Sequence, residues 1–281
     1  IVLSDPEKYK YVFRTTTNSN FIGHYATDFI VEHLKPNYGV KKVAFVYEDL
    51  LYARGVVEAE TPRMEAAGLE TATFAFPMAS TSFPELKRAQ DWGANVVYTV
   101  VATGAIIPEV KQWADEKINA HFISGAAAVV NAPAGWEITQ GTVEYATNSA
   151  SSPSWGIPIN ERIVPWHDWW LERWGTMKNI DIAPSFYESL EVLFDATERA
   201  GTTDADAVVV ALEATDLQVL RNRIVFRPDH NAKLGPGYAW EGTSGGVLGQ
   251  WQEVDGKGDI VVVWPPEYGN PDDWVPTPWV K

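Results

Sequence analysis

The segment "VAFVYEDLLYARG", residues 43–55, decides the fold class of this 281-residue chain. Its apolar run, 43–46, is typical of a buried strand, and a helical pattern begins near Ala53, shortly after the acidic pair Glu48-Asp49. A strand that is apolar on both faces belongs in a parallel sheet covered on both sides. Ligands of such sheets bind beyond the carboxyl ends of the strands. The segment therefore predicts a functional sheet edge and raises the question whether that edge binds or catalyses.

The same alternation continues through the first half of the chain. Strands are predicted at 43–47, 71–76, 95–101 and 121–125. Helical patterns are predicted at about 18–36, 53–67, 83–93 and 105–117. We expect Pro36 to end the first helix and Pro62 to kink the second or to mark a break in it. Strands that alternate with amphipathic helices indicate an α/β fold with right-handed crossovers.

The second half has a different pattern. Helices are predicted at about 160–174, 184–200 and 204–214, after a loop rich in serine and proline at 151–160. The last fifty residues contain short segments separated by glycines and an Asp-Gly pair, which favour antiparallel strands. The tail after residue 264 is rich in proline and tryptophan, and we expect it to pack on the protein surface.

The composition excludes several classes of protein. The net charge is −15, with 22 basic and 37 acidic residues, which argues against nucleic acids and anionic membrane surfaces as partners. There is no apolar run long enough to span a bilayer, and no cysteine for a disulfide or a thiolate metal site. The first ten residues lack the pattern of a signal peptide. The mature chain of an exported protein would lack that pattern as well.

Catalytic and cofactor motifs are weak or missing in the sequence. Ser244 lies in a G-x-S-x-G pattern, but a strand and a turn follow it where a nucleophile elbow needs a helix. His167-Asp168 are adjacent on a helical pattern and do not face each other. The five histidines show no metal-ligand spacing, and there is no phosphate loop, so we expect no metal and no cofactor. Glu48-Asp49 is either a metal or ammonium site or a solvated turn.

Small polar and aromatic residues instead gather at the predicted strand ends. They form three clusters: Tyr47, Asp49 and Tyr52; Ala102, Thr103 and Gly104; and Ser124, Gly125 and Ala126. Because the carboxyl ends of parallel strands lie along one edge of a sheet, these clusters predict a wall of a cleft for a small ligand.

At these residues the chain resembles the type I periplasmic solute-binding proteins, in particular the leucine/isoleucine/valine- and amide-binding family of ABC transporters. The resemblance runs from about residue 5 to about residue 270. It is carried by the order and spacing of "YKYVFRTTTNSNFIGHYATDFIVEHL", "KKVAFVYEDLLYARGVVEA", "FPELKRAQDWGANVVYTV", "IIPEVKQWADEKINAHFISG", "FYESLEVLFDATERAG" and "VVVWPPEYG".

The resemblance implies two α/β lobes, with parallel sheets flanked by helices, joined by three crossings and closing on a ligand. Lobe two would comprise 23–147 and 236–281, and a partial lobe one 1–22 and 148–235.

The resemblance also implies roles for individual residues. Tyr52 matches a tyrosine that covers the ligand, and Ala102-Thr103 match a ligand-facing loop. Tyr187 lies near the hinge. Ala126 stands where amino-acid binders hold the ligand ammonium with a glutamate. This departure disfavours zwitterionic amino acids, because an unpaired buried ammonium costs several kcal/mol.

A second departure concerns lobe one. Related proteins begin with several β-α units that this sequence does not contain, about 100 residues at ~30 residues per unit. We expect an N-terminal part that is missing from this chain, has been cleaved from it or lies outside this sequence. Either such a segment covers the apolar face at Leu190, Val192, Leu193 and Phe194, or that face is exposed.

The resemblance implies a non-enzymatic function. The predicted protein is periplasmic and delivers a small organic solute (a carboxylate, an amide, an aromatic or an amino-acid-like molecule) to an inner-membrane ABC permease, without inserting into the membrane. A sensor, the ligand-binding domain of a receptor with the same fold, is the alternative. A serine hydrolase that uses Ser244 is a remote one.

Overall fold

A computed structural model describes residues 5, 7–18, 23–125, 134–150, 157–175, 182–234 and 246–281. These residues divide into two compact units. Unit one contains 5, 7–18, 157–175 and 182–234, and unit two contains 23–125, 134–150 and 246–281.

Nine strands lie in the described residues. They are β1 (Lys42–Glu48), β2 (Glu70–Phe76), β3 (Val96–Val100), β4 (His121–Ser124), β5 (Thr147–Ala150), β6 (Asp216–Gln218), β7 (Arg223–Val225), β8 (Val247–Val254) and β9 (Lys257–Trp264). Seven of them form one sheet in unit two, in the order β2-β1-β3-β4-β5-β8-β9. The first five are parallel, and β8 and β9 are added as an antiparallel hairpin. The α/β fold with a mainly parallel sheet is thus confirmed, although the predicted lobe boundary after residue 147 falls inside β5.

Nine α-helices surround or follow these strands. They are α1 (His24–Asp28), α2 (Lys35–Tyr38), α3 (Leu51–Ala66), α4 (Pro84–Trp92), α5 (Ile106–Asp115), α6 (Gly135–Thr139), α7 (Ile163–Trp174), α8 (Ile182–Ala200) and α9 (Ala205–Glu213) in the described residues. A π-helical segment, Phe29–Leu34, joins α1 to α2. No helix in the described part of the chain is both long and apolar enough to cross a membrane.

One of the two expectations about prolines is wrong, and a kink at Pro62 stays a prediction. Pro36 does not end the first helical stretch, which continues to Tyr38 and ends at Gly39 with φ +67°. Pro36 has no N–H to donate, and it stands in the first turn of α2, directly after the π-helical segment, where a missing donor is tolerated. Pro62 lies inside α3 without dividing it.

The two faces of the sheet bury separate hydrophobic clusters. Along β1, Ala44 and Val46 pack with α4 and α5, whereas Val43 and Phe45 pack with α1 and α3. Since successive side chains of a strand point to opposite faces, an apolar run of four residues serves both clusters. This double burial is the physical reason that "VAFV" reads as a continuous apolar run.

The hairpin and the tail complete unit two. Asp255 and Gly256, with φ of +50° and +76°, turn the chain from β8 to β9, as the Asp-Gly pair predicts. In the tail, Trp274 is buried and its Nε1 donates to Thr147 Oγ1 at 2.9 Å. Trp279 Nε1 donates to the carbonyl of Ile118 at 3.1 Å. The expectation that the tail packs on the protein is confirmed.

Unit one has a smaller core among the described residues. Val192, Val219 and Ile224 are buried at its centre, beside an ion pair between Glu188 and Arg221. Several apolar side chains of α8 are exposed: Phe186, Leu190, Leu193 and Phe194. The exposed apolar face that was expected on this helix is therefore present, except that Val192 is buried.

Candidate functional site

The switch point of the sheet lies between β1 and β3. The chain leaves β1 to form β2 on one side and then crosses to β3 on the other. Tyr47 is paired with Val100, so the loops that follow β1 and β3 emerge side by side. Thr99 is paired with Ser124, which places the loop after β4 next to them. The described members of the three predicted clusters therefore share one edge of the sheet, the edge where open α/β sheets bind ligands.

Glu48 is the polar centre of this edge. It is the last residue of β1 and is fully buried. Its Oε1 accepts the Thr103 hydroxyl at 2.7 Å and the backbone N–H of Ala79 at 3.2 Å, and its Oε2 accepts the N–H of Ala102 at 3.1 Å. One carboxylate thus joins the end of β1 to the loops after β2 and β3. The sequence did not predict this arrangement.

A second acid is buried behind Glu48. Both carboxyl oxygens of Glu109, on α5, lie 2.8 Å from the Thr99 hydroxyl, which donates to them. Burial raises the pKa of Glu109 well above its usual value, and the nearby Glu48 charge adds to this effect, against the hydrogen bond from Thr99. The pKa shift follows from desolvation, which disfavours the charged form of any carboxyl group.

Asp49 differs from its neighbour. It is exposed, and its Oδ1 pairs with Arg54 at 2.7 Å, while its backbone N–H donates to the carbonyl of Phe76. No group of acidic or histidine side chains within the described residues is arranged to hold a metal ion. The solvated turn is therefore the better description of Asp49, and Glu48 is a structural carboxylate.

The aromatic members of the edge are partly buried. Tyr47 on β1 and Tyr52 in the first turn of α3 both pack against the core cluster on the α1 and α3 face. Ala102 and Gly104 are exposed in the loop after β3. Thr103 is partly buried, and its hydroxyl also accepts the N–H of Ala105 at 3.2 Å.

Gly125 is required by its surroundings. A Cβ at this position would lie 2.6 Å from the hydroxyl of Tyr98, a fully buried side chain of β3 that donates to the carbonyl of Gly23. The N–H of Gly125 donates to the carbonyl of Thr99 at 2.8 Å, so it serves the sheet. The close approach of Tyr98 explains the glycine, and nothing in the sequence around it marked that contact.

The remaining predicted residues lie elsewhere. Tyr187, on α8 of unit one, has its ring 5.6 Å from that of Trp166. His167 lies in the same unit, with its Nδ1 3.6 Å from the Asp168 carboxylate. Ala126 and Ser244 fall outside the described residues, so the ammonium position and the G-x-S-x-G pattern carry no structural statement.

An open α/β sheet with its loops tied together at the switch point defines a class of proteins that place small-molecule sites at the carboxyl ends of strands. Within that class, this chain belongs to the periplasmic binding protein family, whose sequence model matches residues 2–246. The family is made of solute-binding proteins and not of enzymes.

Individual relatives agree with this assignment. A Leu/Ile/Val-binding protein homologue of Brucella melitensis is 25% identical in a 258-residue alignment that covers 87% of this chain. The chain spans 62% of the length of that relative. A leucine-binding protein of Thermotoga maritima has the same fold, with a TM-score of 0.73, 18% identity and coverage of 92% of this chain and 69% of its own. A transporter solute-binding protein of R. palustris, solved with benzoate, has a TM-score of 0.70 and 13% identity, and covers 92% of this chain and 68% of its own.

Proposed function

We propose that this protein is an extracytoplasmic solute-binding protein that delivers a small organic solute to an ABC transporter. The match of the family model to residues 2–246 carries the proposal. The switch-point edge of unit two, with its exposed loop after β3, supports it because binding sites of open α/β sheets lie at such edges.

We infer that units one and two correspond to the lobes. Lobe two comprises about 23–147 and 236–281, and lobe one contains 1–22 and 148–235. Lobe two contributes its half of the site from the strand-end residues Tyr47, Asp49, Tyr52, Ala102, Thr103, Gly104, Gly125 and Ala126. Tyr187 of lobe one is the further proposed contact. Because the Thr103 hydroxyl and the Gly125 N–H are engaged within the protein, these two residues contact a solute through their other atoms.

The proposed solute is a carboxylate, an amide or an aromatic compound, in preference to leucine or valine. Ala126 replaces the glutamate that would neutralise an ammonium group. Glu48 and Asp49 do not substitute for it, since the first is held by three loop donors and the second pairs with Arg54. An ammonium group without a counter-charge is costly to bury. The benzoate bound by the R. palustris relative belongs to the favoured class.

The proposed location is the periplasm, and the proposed partner is an inner-membrane ABC permease. Both proposals rest on the family and on the transporter proteins among its solved relatives. The proposed partnership does not require a basic surface that binds anionic membranes, which agrees with the net charge of −15.

Native mass spectrometry of the purified protein tests the proposal, followed by calorimetry with benzoate, an aliphatic amide and L-leucine. We expect a bound small organic molecule, and a dissociation constant in the micromolar range for at least one of the first two. Tight binding of leucine would overturn the proposed solute class. The absence of any bound or binding solute would overturn the proposed function itself.

A further inference from the structure

We propose that Glu48 is a positioning residue that fixes the shape of the unit-two binding edge and excludes anionic groups from it. This inference rests on the proposed function, because it concerns the half-site that unit two contributes. It does not depend on which solute is bound. Glu48 itself is fully buried and acts through the loops that it holds.

The first step is the distribution of its hydrogen bonds. Ala79 lies beyond β2 and has a left-handed backbone with φ +59°, and Ala102 and Thr103 lie beyond β3. All three donate to the Glu48 carboxylate, which stands at the end of β1. Without that carboxylate, no described group ties the three loops to a common point. A charged acceptor makes the strongest hydrogen bonds to neutral donors, so it is suited to this task.

The second step concerns the donors of this edge. Besides the three that Glu48 accepts, the N–H groups of Asp49 and Gly125 donate to the carbonyls of Phe76 and Thr99. These five donors point into the protein and not toward a ligand. An anionic group needs hydrogen-bond donors or cations when it leaves water. These five donors are therefore not left for an anionic group, and the guanidinium at this edge, Arg54, is already paired with Asp49.

The third step is charge. Among the described residues the hydrogen-bond partners of Glu48 are three neutral donors, with no lysine, arginine or histidine in an ion pair with it, and its charge helps to raise the pKa of the buried Glu109. At an effective dielectric constant near 20, the repulsion between two like charges about 10 Å apart weakens the binding of an anionic group about tenfold. The edge therefore favours an uncharged group of the solute, and an anionic group must be bound elsewhere.

Hydrogen exchange of the ligand-free protein, measured by NMR, tests the positioning role. In Glu48→Gln an amide NH₂ group, which is a donor, replaces the carboxylate oxygen that accepts the Ala102 N–H, so that hydrogen bond is lost. The N–H groups of Ala79 and Ala102 should therefore exchange at least about tenfold faster. Glu109→Gln is the matched control, because Glu109 is also a buried acid and the glutamine side chain resembles its neutral form. This variant should leave both exchange rates unchanged. If Glu48→Gln does not fold, Thr103→Val removes one donor and should accelerate the Ala102 exchange. Unchanged rates in the folded variant overturn the positioning role.

Calorimetry with glutarate, glutaramate and 5-aminopentanoate tests the exclusion of anions. The three probes share one carboxylate and a similar chain and differ in charge at the other end. We expect wild type to bind glutarate at least about tenfold more weakly than glutaramate, and Glu48→Gln to reduce that ratio by about tenfold. Glu85→Gln removes another acid that acts on Glu109 but does not hold the loops, and should keep the ratio.

Equal affinities for glutarate and glutaramate overturn the exclusion of anions. If none of the three probes binds, glutaramate is rejected as well and the exclusion specific to anions is overturned, whereas the native mass spectrum and benzoate still decide the proposed function. The exchange rates of Ala79 and Ala102 decide the positioning role in either case, because they are measured without a solute.

Discussion

Units one and two differ in how completely they cover their apolar side chains. Unit two has a seven-stranded sheet with a buried cluster on each face, and tryptophans such as Trp113 and Trp251 are almost fully buried. In unit one, α7 and α8 expose large side chains, among them Trp174 and Phe194. The difference teaches that tryptophans can be core residues in one unit and exposed residues in the other, and that only their packing distinguishes the two cases.

The largest expected effect separates two tryptophans. Trp113 is fully buried between Phe122 and Trp279, and its Nε1 donates to the carbonyl of Ala120. We expect Trp113→Ala to lower the free energy of unfolding by about 4 kcal/mol, through a cavity and a lost hydrogen bond. The matched variant Trp174→Ala, at a site that is 58% exposed, should change it by less than about 0.5 kcal/mol.

Urea unfolding followed by circular dichroism measures both variants. Equal losses of stability would show that unit one buries Trp174 as firmly as unit two buries Trp113, and the comparison between the units would fail.

The same contrast decides what the sequence predicts. Alternating apolar strands and helices predicted four of the five parallel strands to within one residue of their ends, because a doubly covered sheet needs such runs, whereas β5 was missed. The Asp255-Gly256 turn followed from local backbone chemistry. In contrast, β6 and β7 were missed, since three-residue strands leave no periodic signal.

The site was predicted only as an edge. Strand ends located the three clusters, since the carboxyl ends of parallel strands coincide. The side-chain partners could not be predicted, because Glu48 meets Thr103 and Ala79 through contacts that link separate loops of the sheet. The need for Gly125 likewise arises from Tyr98, a residue 27 positions earlier in the sequence.

The next expected effect concerns the core of unit one. Arg221 and Glu188 form a buried ion pair at 2.8 Å, and both side chains are about 1% exposed. We expect Arg221→Met to lower the free energy of unfolding by about 3 to 4 kcal/mol, because it leaves the Glu188 charge buried and unpaired. The double variant Glu188→Met/Arg221→Met should be more stable than the single one.

Denaturant unfolding of the two variants checks this order. A neutral effect of Arg221→Met would indicate that unit one has no cooperative core of its own, which would widen the contrast between the units.

A pH effect is expected next, and it reports on unit two. Burial lowers the pKa of His121, on β4, from 6.5 to about 4. As the pH falls, His121 is therefore protonated in the unfolded chain before it is protonated in the folded protein. The free energy of unfolding is unaffected by this group above pH 6.5 and decreases as the pH falls toward 4. The loss attributable to this group amounts to about 3 kcal/mol.

The free energy of unfolding of wild type and His121→Gln, measured between pH 7 and pH 4, isolates this contribution. The difference between the two proteins should shift by about 3 kcal/mol across the window in favour of the variant at low pH. A difference that stays constant with pH would show that His121 titrates normally and that the tail around Trp274 and Thr277 does not seal it from water.

The smallest expected effect is on binding and asks whether unit two contributes an aromatic contact. Tyr52 is partly buried in the first turn of α3, at the edge that carries the proposed half-site. We expect Tyr52→Ala to weaken binding of the co-purified solute by about 1–3 kcal/mol in calorimetry, the range for an aromatic contact in a well-packed site. Tyr38→Ala, which truncates an exposed tyrosine of α2, is the matched control and should leave affinity unchanged. If the two variants bind equally well, the well-packed unit serves as scaffold alone and the aromatic contacts must come from unit one, where Tyr187 is the residue to truncate next.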